Sequence, residues 1–168
     1  GIFKYYKNKQ ELFIAVVDKF WFSTQNPRNK FTETNGTFAE FIDEYVRGVQ
    51  RTMDMLGDLI GAEREKVAQG KFTYHAQYFH FLFQLLQYDP DAKEKLRNLV
   101  EVDYAYWRAA IQRAIATGEL REDVDVEDAV VMFRQVYMGL SFEMAFMGGL
   151  NTQRLAKHLH AVYSLLKR

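Results

Sequence analysis

The chain holds four histidines, no cysteine and 22 carboxylate side chains, and the spacing of these groups decides what chemistry they can do. His75 and His80 are five residues apart, about 140° around a helix, and His158 and His160 are two apart, about 200°. Neither pair can offer two ligands to one metal ion. No Glu-x-x-His occurs, which removes the di-iron bundle pattern. Gly148-Gly149 lacks the glycine spacing of a phosphate loop, and no Gly-x-Ser-x-Gly presents a serine nucleophile. Without cysteine there is no disulfide or thiolate chemistry, which suits a reducing cytoplasm. Neither an enzymatic activity nor a bound metal or cofactor is expected.

What remains is binding chemistry, and it is aromatic. The chain is 15% aromatic, with 14 Phe and 10 Tyr, within an ordinary 48% hydrophobic fraction. Three apolar stripes could converge: Tyr45 and Met53 on one helix, His75 and Phe79 on a second, Tyr104 and Trp107 on a third. Rings at helical spacing usually just fill a core. Tyr, His and Trp also carry polar atoms that need partners when buried, so the same set suits an apolar pocket with a few orienting groups. The expected ligand is a small apolar or aromatic molecule with one or two hydrogen-bonding groups. Asp103 borders this face, either as an edge carboxylate reaching water or as a polar anchor in the cavity that would favour a cation.

Helices must position these residues, because 2 Pro, 10 Gly and little strand-type alternation leave an all-α chain of one domain. Asn8 with Glu11 reads as a helix start, with Leu12, Phe13, Val16, Val17 and Phe20 on its buried face. A polar loop with breakers covers residues 25–36. Thr37 with Glu40 is a capping box, opening a helix toward Gly57, and a short surface helix is expected over 58–70. Residues 72–88 read as a central helix with two adjacent apolar stripes. Asp89 as N-cap and Pro90 at the first helical position open a long helix that ends near Thr117 on a Gly118 C-cap. From Asp125 the apolar residues overrun one face. Val126, Val130, Phe133, Tyr137, Leu140, Met144 and Met147 make one seam, and Ala129, Met132, Val136, Gly139 and Phe146 the other. The last helix, capped by Asn151 or Thr152, carries Leu155, Leu159, Val162 and Leu166. A core can cover one seam, and a second copy of the chain the other. The interface so expected uses Met132, Val136, Gly139, Phe146, Leu155, Leu159 and Val162 in a four-helix bundle.

Formal net charge is zero, yet Lys4, Lys7 and Lys9 meet no acid in the first nine residues, a basic tip suited to phosphate contact. No apolar run reaches membrane-spanning length, so no membrane role is expected. Phe3, Tyr5, Tyr6, Lys9, Glu11 and Leu12 follow the pattern that ends the helix-turn-helix of the TetR (tetracycline-repressor-like) family of bacterial transcription regulators. Tyr6 stands where Phe is commoner and Gln10 where Glu is commoner. The chain resembles that family along its length, more loosely after this motif and through the Gly118-Glu119-Leu120 turn.

The resemblance implies a helical bundle like the TetR C-terminal ligand-binding and dimerisation domain. Residues 1–7 would be the remnant of the DNA-binding helix-turn-helix, 8–24 a connector helix and 25–168 the ligand-binding and dimerisation body. It further implies a homodimer, operator DNA as partner of the intact protein with Lys4, Tyr5 and Lys9 on the backbone, and an effector that controls DNA binding, as in a repressor. Most of the DNA reader would then precede Gly1. A helical small-molecule-binding protein with no DNA role is the alternative that composition and periodicity leave open.

Overall fold

The computed structural model describes residues 7–31, 36–59 and 74–168, with residues 20, 56–59 and 74–77 described by backbone alone. Helix α1 (Lys9–Val16) runs on through a π-helical turn (Val17–Trp21) and a last α turn (Phe22–Thr24). A 3-10 turn (Pro27–Asn29) precedes α2 (Phe38–Leu59), α3 (Tyr74–Tyr88), α4 (Ala92–Ala116), α5 (Val126–Ala145) and α6 (Thr152–Leu166). Among the described residues the only extended pairing is an isolated bridge between Leu120 and Lys167, so the chain is an all-α bundle. The expected surface helix over 58–70 and the motif residues up to Tyr6 lie outside the described residues, apart from the end of α2.

Local chemistry explains most helix ends. Asn8 accepts from the Glu11 amide at 2.8 Å, while the Glu11 carboxylate accepts from Lys7 rather than from Asn8. Thr37 and Glu40 close a reciprocal capping box, at 3.2 and 2.8 Å. Asp125 and Asn151 cap α5 and α6 through the amides of Asp128 and Arg154. Gly118, at φ 75°, ends α4: its own amide and that of Glu119 turn back onto Ile115 and Ala114, the paired bonds of a Schellman motif. Pro90 does not begin α4. Asp89 instead accepts from the Asp91 amide in a tight turn, and the helix starts two residues beyond the proline, at Ala92.

Among the described residues the buried apolar side chains form two cores. The larger joins Phe38, Ile42 and Tyr45 of α2, Trp107 and Ile111 of α4, Val130 and Phe133 of α5, and Leu155 and Leu159 of α6. The smaller joins Val17 and Trp21 to Leu85 of α3 and Ala92 of α4, with Phe13, Tyr78, Phe81, Leu96 and Leu99 around them. Helix α3 packs against α1, α2, α4 and α5, which makes it the central helix its two stripes suggested.

The expected faces need three corrections. Val16 is exposed, because the wider π turn carries the buried line of α1 through Phe13, Val17 and Trp21 instead. Within the loop, Lys30 and Phe31 are buried, and Phe31 stacks on Tyr106 at 4.6 Å. Leu155 and Leu159 are 0% exposed within the chain's own core, since α6 spends its apolar stripe on α2 and α5, and so they offer a second copy no surface.

Candidate ligand-binding site

Asp103 sits on α4 one turn after Leu99 of the smaller core and one turn before Trp107 of the larger, at the seam between them. It is not an edge carboxylate reaching water: it is 3% exposed. Arg134 of α5 brings its Nε to 2.9 Å from Asp103 Oδ2. The pair is close but poorly aligned, so that Arg134 Nε and Nη1 and Asp103 Oδ1 have no hydrogen-bond partner in the protein. Tyr45 Oη and Trp107 Nε1 are buried and unpartnered as well, and the two rings touch at 4.8 Å. A buried polar atom left unpaired costs about 1–3 kcal/mol, so a group of them in one place needs an explanation.

Tyr137 lies beneath the charges, its ring 5.4 Å from the Arg134 guanidinium carbon and 5.0 Å from Lys30 Nζ. Gly48 admits Lys30 to this place. A Cβ on Gly48 would fall 2.1 Å from the Lys30 carbonyl oxygen, so only glycine lets the loop backbone lie on α2.

Burial sets the electrostatics. It raises the pKa of Asp103, against the opposing pull of Arg134 and then Lys30. It raises the Tyr45 phenol strongly, with the Asp103 charge adding to it, and it raises Tyr78 as well. Asp103 thus pairs with Arg134, and Lys30 adds a second positive charge on the Tyr137 ring. The unpartnered N–H and O–H groups can donate to the acceptor atoms of a ligand, and Asp103 Oδ1 can accept.

Of the residues expected in a pocket, the structure brings Tyr45, Asp103 and Trp107 together. Met53 and Tyr104 border the larger core, and Phe79 packs on Tyr78 and Phe142. The His75 side chain lies outside the described residues. Arg134, Tyr137, Tyr78 and Lys30 were missed. The available signal was Arg134 itself, a lone cation four residues after Val130 and three before Tyr137, in line with the apolar seam of α5. Asp103, already matched by Arg134, supplies no unbalanced charge for a cation.

On the outside, Met132, Gly139 and Phe146 are exposed and Val136 and Val162 half-buried. Phe142 and Val131, not singled out from the sequence, join them. Lys9 is exposed at the start of α1, whereas Lys4 and Tyr5 lie outside the described residues. Among the described residues no group of His, Cys, Asp or Glu could hold a metal ion, and no helix is long and apolar enough to cross a membrane.

In comparison with known families, residues 49–159 match the one described as "Tetracyclin repressor-like, C-terminal domain". The match takes in Asp103, Trp107, Arg134 and Tyr137. No curated protein and no solved structure matches the chain.

Proposed function

The chain belongs to the tetracycline-repressor-like family of transcription regulators, and from that premise we propose that it is the effector-binding and dimerising body of a ligand-responsive repressor. The observation that carries the reading is the set of unpartnered polar atoms around Asp103 and Arg134, enclosed by the rings of Tyr45, Trp107 and Tyr137. A small aromatic effector would occupy this seam between the two cores. The homodimer would form through the exposed α5 face of Met132, Val136, Gly139 and Phe146 with Val162 of α6. In the intact protein, Lys4, Tyr5 and Lys9 would contact the operator backbone.

A route from effector to DNA follows from how α1 is held. Tyr78, whose phenol feels the charges of Arg134 and Asp103, stacks on Trp21 with ring centres 5.7 Å apart, so one α3 side chain would link the site to the connector. Phe13 packs on Phe81, and Lys95 of α4 bonds Asp18 at 2.8 Å and Asp89 at 2.9 Å. An effector that shifts α3 or α4 would therefore shift α1. Binding energy acts only through a difference in affinity between the DNA-competent and incompetent arrangements.

The test uses the intact regulator. Operator DNA is enriched from a random-sequence pool, and aromatic compounds that raise the melting temperature are then titrated into the complex. Release of DNA is expected, with the response weakened by Tyr78→Ala. The reading is lost if no sequence is enriched, or if compounds that bind leave DNA affinity unchanged.

A further inference from the structure

We infer that the effector is an acid: a planar aromatic molecule bearing a carboxylate or comparably anionic oxygen group, received by Arg134, Tyr45 and Trp107. This rests on the effector reading above and narrows it. Around Asp103 the donors without a hydrogen-bond partner in the protein are Arg134 Nη1, Tyr45 Oη and Trp107 Nε1, while Arg134 Nε lies misaligned at 2.9 Å from Asp103 Oδ2 and Asp103 Oδ1 is an acceptor left open. A phenol could also accept, but the guanidinium and indole nitrogens can only donate. The charges agree with the donors. Arg134 and the buried Lys30 both lie over Tyr137, and of the two it is Arg134 that pairs with Asp103.

A guanidinium whose Nη1 has no protein partner can donate to a carboxylate, and charge-assisted bonds in a buried site are the strong ones. A cationic ligand would meet two cations there, and a wholly apolar one would leave Arg134 Nη1, Tyr45 Oη and Trp107 Nε1 unpaired. The walls set the rest of the molecule. Trp107 stacks on Phe133 at 4.9 Å and meets Tyr45 edge to face at 4.8 Å, surroundings that favour a flat ring.

Three isosteric probes separate the possibilities: naphthalene-2-carboxylate, naphthalene-2-methanol and naphthalene-2-methylamine, titrated calorimetrically into the full chain at neutral pH. The carboxylate is expected to bind at least about tenfold tighter than the alcohol, with the amine weakest. In Asp103→Asn/Arg134→Met, which removes both members of the ion pair and leaves Lys30 as the charge at the site, the carboxylate should lose most of its advantage over the alcohol. Tyr45→Phe keeps its ring against Trp107 and should cost the carboxylate severalfold. Equal binding of acid and alcohol, or preference for the amine, overturns the inference and leaves the effector reading standing. A carboxylate preference undiminished by the double substitution overturns it too, by moving the receptor elsewhere. If no probe binds and a broader apolar library leaves the melting temperature unmoved, both readings fall. Should the double variant not fold by circular dichroism, the rank order in the unaltered protein and the Tyr45→Phe result decide.

Discussion

Asp103 and Arg134 approach to 2.9 Å between α4 and α5 without aligning, so that each keeps a polar atom with no protein partner. Removing one member should leave the other charge buried alone. Asp103→Ala is expected to cost about 3–5 kcal/mol in urea unfolding, and Asp103→Ala/Arg134→Met to recover much of it. Additive losses in the double variant would mean the two groups do not act as a pair.

The same carboxyl should leave a signature in pH. Burial holds the folded pKa of Asp103 above 3.8, so the native state binds a proton more readily than the unfolded chain. Its contribution to stability is therefore complete below about pH 4 and lost as pH rises through the raised value. Asp103→Asn/Arg134→Met lacks that titration. The melting temperature of the variant minus that of the unaltered protein should rise from about pH 4 upward, and a flat difference would deny the shift.

Glu119 illustrates what lay beyond a sequence pattern. Its carboxylate accepts from the amides of Phe38 and Ala39 at the start of α2 and from the hydroxyl of Tyr163 on α6, at 2.7, 3.3 and 3.0 Å. One side chain in the α4–α5 turn thus supports the ends of two other helices. Glu119→Ala should cost about 2 kcal/mol and Glu119→Gln about half as much, read from denaturant midpoints.

The contrast with Thr37 and Glu40 shows where legibility stops. That capping box, like Asn8, Asp125 and Asn151, works within three residues, so the spacing that defines it is already in the sequence. Glu119 caps a helix 81 residues away, which spacing cannot disclose. Burial followed the same divide. The apolar character of Leu155 and Leu159 was plain, but whether α2 or a second chain covers them depends on how the helices stack. Tyr45, Asp103 and Trp107 were recognisable as polar groups on apolar faces. Arg134 completes them only because α5 crosses α4 at that turn, and Lys30 only because Gly48 has no side chain.

Gly48 offers a direct perturbation. Alanine is the better helix former by about 1 kcal/mol, yet its Cβ would lie 2.1 Å from the Lys30 oxygen and 2.4 Å from Lys30 Cα. Backbone must move. Gly48→Ala should destabilise by about 1–3 kcal/mol and weaken naphthalene-2-carboxylate more than the alcohol, by drawing Lys30 away from Tyr137. Unchanged stability would show that the loop does not need this approach.

The dimer can be tested by substitutions that separate interface from core. Leu159 is 0% exposed among the residues of the larger core, so Leu159→Glu should unfold the chain whether or not it dimerises. Phe146 is 72% exposed at the end of α5, and Met132 is exposed on the same helix. Rings and thioethers left in water there, beside Gly139 where a close approach meets no side chain, suit contact with a second copy of the same face. Met132→Glu and Phe146→Glu should therefore keep the helical circular dichroism signal and the melting temperature of an isolated subunit while sedimenting as monomers. A dimer that survives both, in protein that remains folded, would require another surface. If either substitution abolishes helicity instead, the residue supports the subunit's own fold and the face assigned here is mistaken.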